Sequence, residues 1–159
     1  MKKTFAAFFA ALCLMLTGCV SPAKIMTYRG SDTAFTVDAS GGEAAFTARV
    51  TLPAGGAAAL TFISPEEAEG ITVRLDGGIL EIGVGTEIPV KEEHAGGALT
   101  ALLRVLSSSP EDVLTAVKDE FDGVAVYRCE TADGCVYVSE KTGAPVGFSA
   151  GKTVARVTG

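Results

Sequence analysis

The stretch Glu43-Ala44-Ala45-Phe46-Thr47-Ala48-Arg49-Val50-Thr51-Leu52 decides the fold. Ala44, Phe46, Ala48, Val50 and Leu52 fall on one side, and Glu43, Thr47, Arg49 and Thr51 on the other. Apolar residues recurring with a period of two predict a half-buried antiparallel strand. Ser40-Gly41-Gly42 is a turn before it and Pro53-Ala54-Gly55-Gly56 a turn after it. Upstream, Phe35 and Val37 alternate with Thr36 and Asp38. Downstream, Leu60 and Phe62 continue in a third strand. Ser64-Pro65-Glu66-Glu67 starts about one helical turn, with Ser as cap and Pro at the first position, and Gly70 stops it. Ile71 to Leu75, the Asp76-Gly77-Gly78 turn and the alternating Leu80, Ile82 and Val84 read as a hairpin. Pro89 ends this run of strands.

The period then changes. Leu99, Leu102, Leu103 and Leu106 stand at i, i+3, i+4 and i+7, one apolar stripe of a helix. Ser109-Pro110-Glu111-Asp112 opens a second helix by the same capping logic, with Val113, Leu114, Val117 and Phe121 as its buried side. Asp122-Gly123 returns the chain to strand. Val124–Glu130 and Cys135–Ser139 form a hairpin, and Val146–Phe148 and Thr153–Val157 are the last short strands. The expected order is five strands, two helices and four strands. An α+β domain follows: a single curved antiparallel sheet of about nine strands, an open or half β-barrel, with two helices packed on its concave face.

Cys129 and Cys135 flank Glu130-Thr131-Ala132-Asp133-Gly134. A hairpin centred on Ala132 would set Cys129 opposite Cys135 and Tyr127 opposite Tyr137, and a cross-strand disulfide is the expectation. A tighter turn at Asp133-Gly134 would separate the two thiols. The five-residue gap is not that of a thiol-redox motif, and no second ligand pair is present for a metal.

The start of the chain carries an address. Lys2 and Lys3 precede an apolar run from Thr4 to Leu16, too short to span a bilayer at about 20 residues but suited to a signal sequence. Leu16-Thr17-Gly18-Cys19 resembles the lipobox of bacterial lipoproteins. The resemblance implies that residues 1–18 are cleaved as a signal peptide. Cys19 would receive a diacylglyceryl group, become the new N-terminus and anchor the protein on the extracytoplasmic face of the cell membrane, or at the outer membrane of a two-membrane host. Each buried CH₂ contributes about 0.8 kcal/mol, so two or more chains hold firmly. Residues 19–32 then read as the lipidated cysteine and a tether, in which Ile25, Met26 and Tyr28 are apolar enough to dock. Residues 33–159 form the domain.

Composition narrows the function. Of 13 Lys and Arg, Lys2 and Lys3 leave with the signal; against 19 Asp and Glu the remainder carries −8. That charge argues against nucleic acid and against a polybasic grip on anionic lipid. The one histidine, His94, sits in the polar Lys91-Glu92-Glu93-His94 linker. Neither it nor Glu66, Glu67 and Glu69 makes an acid–base or metal constellation. No nucleophile turn and no phosphate loop appears, and the expectation is a non-catalytic protein without cofactor or metal.

Three stretches together resemble the Lol superfamily of bacterial lipoprotein carriers and outer-membrane lipoprotein receptors: Leu60-Thr61-Phe62-Ile63-Ser64-Pro65-Glu66-Glu67 running through Gly70 into Ile71-Thr72-Val73; Asp76-Gly77-Gly78; and Val136-Tyr137-Val138 with Thr142 to Phe148. The resemblance implies an unclosed barrel whose helices cover an apolar cavity. Here that cavity would be lined by Phe46, Phe62, Leu80, Leu99, Leu102, Leu103 and Leu106, and would take a lipid or lipoprotein acyl chain. The alternative is a membrane-tethered adaptor that docks or activates an envelope protein such as a wall-processing enzyme. The chain departs from the carriers in having no Trp and a shorter domain.

Overall fold

The computed structural model describes residues 20–41, 45–76, 79–84, 87–91 and 97–159. The Leu16–Cys19 motif, Glu43 and Ala44, the Gly77–Gly78 tip and His94 lie outside the described residues. Eleven strands form one sheet: β1 (Thr33–Ser40), β2 (Phe46–Leu52), β3 (Ala59–Ser64), β4 (Thr72–Asp76), β5 (Ile79–Gly83), β6 (Glu87–Lys91), β7 (Thr115–Phe121), β8 (Val124–Glu130), β9 (Cys135–Ser139), β10 (Pro145–Ala150) and β11 (Thr153–Val157). Among the described residues two α-helices accompany them, α1 (Pro22–Ile25) and α2 (Gly97–Ser107).

The sheet order is β6-β5-β4-β3-β2-β1-β11-β10-β9-β8-β7. Every pairing is antiparallel. Two meanders therefore join where the first strand meets the last. The chain leaves the sheet at one edge, β6, and re-enters at the opposite edge, β7. The segment carrying α2 must cross a face of the sheet to do so. An eleven-residue helix is about 16 Å long, whereas β4 and β9 stand six strand spacings apart in the sheet, about 29 Å if flat. The helix nevertheless packs against β4, β9 and β10. The sheet must curl around it, and β6 and β7 do not pair with one another. The result is an α+β open half-barrel.

The inward side is the one the period of two selects. Val37, Ala48, Val50, Leu60, Val136, Val138, Phe148 and Ala155 are fully buried, together with Leu102, Leu103, Val105 and Leu106 from α2. The Phe35 ring stacks on Phe148 with centroids 5.8 Å apart. The first and last strands meet mid-sheet, where Thr36 donates its amide to the Gly159 carbonyl and receives that of Thr158 on its own carbonyl.

Two elements correct the sequence reading and account for eleven strands rather than nine. The expected second helix reduces to a 3-10 turn, Pro110–Asp112, and Val117 and Phe121 lie in β7. The Ser109 capping pattern is real but serves that short turn. Asp122 and Gly123 are the two residues of a tight hairpin, with φ of 49° and 78° and Phe121 paired to Val124. Positive φ at both central positions is what Asp-Gly provides. Pro89 does not end the strands; it sits inside β6, opposite Glu81, on an edge where a missing amide is tolerated. The turn after Pro65 is likewise 3-10, Glu66–Ala68.

Residues expected to form a tether are built into the domain from Pro22 onward. Ile25, Met26 and Tyr28 belong to the main core, and α1 packs on the Pro110–Asp112 turn.

Candidate functional site

The site begins with α2. Its stripe is buried as a broad face: Leu102, Leu103 and Leu106 are fully buried and Thr100 nearly so, while Leu99 is half-buried against the core. Leu80 is buried with them. Phe46 and Phe62 are half-buried, packed edge to face with centroids 5.0 Å apart. The seven residues expected to line a cavity thus divide into two groups. Four are sealed in the core, and three, Phe46, Phe62 and Leu99, are only partly covered.

Register locates the aromatic pair. Phe46 pairs with Ala39, Ala39 with Ala155, and Thr153 pairs with Ala150. Phe46 therefore lies at the end of the sheet that carries the β10–β11 turn. The N-terminal turn of α2 lies at the same end. There Gly97, Ala98 and Ala101 of the helix face Ala150, Gly151, Lys152 and Thr153 across a groove of about 430 Å³. Small side chains on both walls keep it open.

A second, more polar cleft of about 540 Å³ lies at the other end of α2. Its walls include Gly56, Leu75, Ser107, Asp112 and Asp133, with Arg104 at the rim. Arg104 holds Asp133 at 3.2 Å. Beside it lies Arg29, only 6% exposed, whose Nη2 donates to the carbonyls of Gly56 at 2.8 Å and Ser107 at 3.1 Å. Ser107 is the last residue of α2, so the guanidinium satisfies a carbonyl the helix leaves open and favours the negative end of its dipole. Arg29 Nε and Nη1 and the Tyr28 hydroxyl are buried without a hydrogen-bond partner among the described residues. Nothing in the sequence flags Arg29, because a single Arg before a Gly-Ser turn reads as solvated. The cleft is also illegible there, since its walls come from four separate loops and helix ends.

The hairpin cysteines depart from expectation. Register sets Cys129 opposite Val136 and Cys135 opposite Glu130, and Tyr127 opposite Val138. Adjacent pairs point to opposite faces, so the two thiols are on opposite sides of the sheet and both are free. The Thr131–Gly134 loop sets this register; the Thr131 amide and hydroxyl both donate to the Gly134 carbonyl. Gly134 is fixed by space, since a Cβ there would collide with the Ser149 carbonyl oxygen. Burial, with a smaller contribution from Cys135, pushes the Cys129 thiol up to about 11. Tyr28 is raised by burial too.

Among the described residues no three of His, Cys, Asp and Glu are grouped to hold a metal ion. Glu66, Glu67 and Glu69 are exposed on their turn. Glu92, Glu93 and His94 lie outside the described residues.

No protein-family model matches the chain. No curated protein matches it either. Solved structures do match in fold. An uncharacterized conserved protein from Thermus thermophilus aligns over 86% of this chain and 82% of its own, at 11% identity and TM-score 0.53. At lower structural similarity stand a LolA superfamily protein from Nitrosomonas europaea, 9% identical over 89% of this chain and 93% of that one, TM-score 0.44, and an outer membrane lipoprotein-sorting protein domain from Vibrio parahaemolyticus, 8% identical over 87% and 89%, TM-score 0.43. The Thermus likeness extends to the fold alone.

Proposed function

We propose that the protein is a lipid-anchored, extracytoplasmic binding module that takes an apolar chain at the mouth between the α2 N-terminal turn and the β10–β11 turn. Gly97, Ala98, Ala101 and Ala150 wall it; Phe46, Phe62 and Leu99, half-covered near it, would extend its apolar surface, while Leu80, Leu102, Leu103 and Leu106 stay sealed in the core. The supporting observation is the 430 Å³ groove itself: none of the seven expected residues lines it, but Phe46 and Phe62 stay half-covered at the end of the sheet that carries it, and Leu99 on the helical turn beside it. A groove of this size walled mostly by Gly and Ala, with Lys152 and Thr153 on one side, has room for an acyl chain. The anchor rests on the resemblance of Leu16-Thr17-Gly18-Cys19 to a lipobox, and a non-catalytic role on the absence of an acid–base or nucleophile grouping in the sequence.

The test is titration with a fluorescent fatty acid. Saturable binding is expected, weakened about tenfold or more, at least 1.4 kcal/mol, by Ala101→Phe, which fills the groove. Absence of saturable binding by the unaltered protein, or binding indifferent to Ala101→Phe with the fold intact, contradicts the reading.

The adaptor alternative is favoured by one observation. β7 is an open edge seven residues long, with Val117 and, on the adjoining strand, Val124 exposed. An extended segment of an envelope protein would add to it as a further strand, although Lys118, Asp119 and Glu120 on that edge oppose indiscriminate pairing. Crosslinking from Val117→Cys in intact envelopes would yield a single protein adduct under this reading and none under the first.

A further inference from the structure

We infer that the face made by α1, the Pro110–Asp112 turn and Leu114 is seated against the zwitterionic headgroups of the membrane, which hold the domain in one orientation. This rests on the lipidation of Cys19 proposed above.

The length of free chain carries the inference. Between Cys19 and the docked turn at Pro22 stand only Val20 and Ser21. Three Cα–Cα steps reach about 10 Å. A chain free from Cys19 to Asp32 would reach above roughly 40 Å, and the domain would swing. The docking is extensive. Ile25, Met26 and Tyr28 are in the core. Arg29 is bonded to Gly56 and Ser107, its own carbonyl accepts the Gly55 amide, and Asp32 accepts the Ala54 amide. Freeing this segment would expose all of it at once, so an acyl anchor on Cys19 pulls α1 to the lipid surface.

The surface there suits such a neighbour. α1 packs on the Pro110–Asp112 turn, and Leu114, two residues on, is 71% exposed. An aliphatic side chain of that kind sits favourably among headgroups. The exposed charges of α1 and the Pro110–Asp112 turn themselves are Lys24, Glu111 and Asp112. Their balance is one positive against two negative, which anionic lipid would repel and zwitterionic lipid accepts. The same face adjoins the 540 Å³ cleft, which Asp112 lines. That cleft therefore opens beside the membrane, while the apolar groove lies at the other end of α2.

The chain contains no Trp, so single tryptophans report cleanly. Leu114→Trp and, as a control, Ile63→Trp at a 47% exposed site on β3 are purified as the lipidated full-length product. Each is placed on phosphatidylcholine vesicles containing brominated phosphatidylcholine. The expected result is that both proteins co-float with vesicles. The Leu114→Trp emission is blue-shifted and quenched, the Ile63→Trp emission is neither, and a flexible spacer between Ser21 and Pro22 abolishes the quenching without loss of flotation. Flotation with an unquenched Leu114→Trp overturns the seat and leaves the anchor standing. Equal quenching at both positions, or quenching that survives the spacer, overturns the single tether-held orientation. Failure to float removes the anchor itself and the inference with it.

Discussion

Cys129 shows how one residue's placement reverses an inference drawn from spacing. The five residues between Cys129 and Cys135 allow a facing pair only if the hairpin is symmetric about Ala132. A four-residue loop closed by Thr131 and Gly134 shifts the partner by one, and in a strand one residue is a change of face. Thiol titration of the exported protein after unfolding without reductant should therefore count two thiols, Cys135 reacting before Cys129 in the folded state; a count of zero would restore the bridge. The raised Cys129 also gives a pH signature. The folded state keeps a proton that the unfolded chain releases from 9.0 up to about 11. Stability is full below that window and declines as pH rises through it. In urea melts at several pH values, Cys129→Val should reduce the decline, leaving the part that comes from the raised phenol of Tyr28. In the core, Leu103→Ala should cost about 2–5 kcal/mol in the same melts, because a fully buried leucine leaves a cavity that the sheet cannot close. Exposed Leu114→Ser should change stability by less than about 0.5 kcal/mol.

At the scale of elements, the β7–β8 hairpin depends on the Asp122-Gly123 turn. Gly123→Ala meets no neighbour but forces a side chain into φ 78°, and should cost about 1 kcal/mol in urea denaturation. Gly134→Ala meets the Ser149 carbonyl and should cost more. The strands with one wet face and one dry face, such as Phe46–Leu52, were legible because alternation survives in the residue types. The α2 stripe was legible because four leucines repeat at helical spacing. β7 was not, because Thr115–Phe121 is an edge strand exposed on most of its length. Burial imposes no alternation there, and the preceding Ser-Pro-Glu-Asp cap pulled the reading toward helix. β6 escaped for the related reason that an edge tolerates Pro89. In each case the missing information is which strand lies outermost, and that is a property of the whole sheet.

At the scale of the molecule, the half-barrel depends on one crossing segment and one docked segment. α2 carries the chain from edge to edge, and Pro22–Gly30 fills the space beside it. The groove itself was not legible, since its walls, Gly97, Ala98, Ala101 and Ala150 to Thr153, include none of the seven residues expected to line a cavity; that those seven pack in or against the core was legible. Which of them remain half-covered was not, because packed and unpacked positions demand the same residue types. The polar cleft and Arg29 were invisible, since their partners are carbonyls of distant loops. Under the proposed function, localisation depends on a single atom, the Cys19 sulfur. Cys19→Ala should shift the protein from membranes to the soluble extracytoplasmic fraction in cell fractionation, and continued tight association would remove the lipid anchor from the account. An apolar chain held at the α2 mouth is open to native mass spectrometry of the domain from Val20 onward, purified without detergent from an export-competent host. The account predicts a bound species of lipid mass that disappears in Ala101→Phe. A bare mass that stays bare after incubation with fatty acid would contradict it.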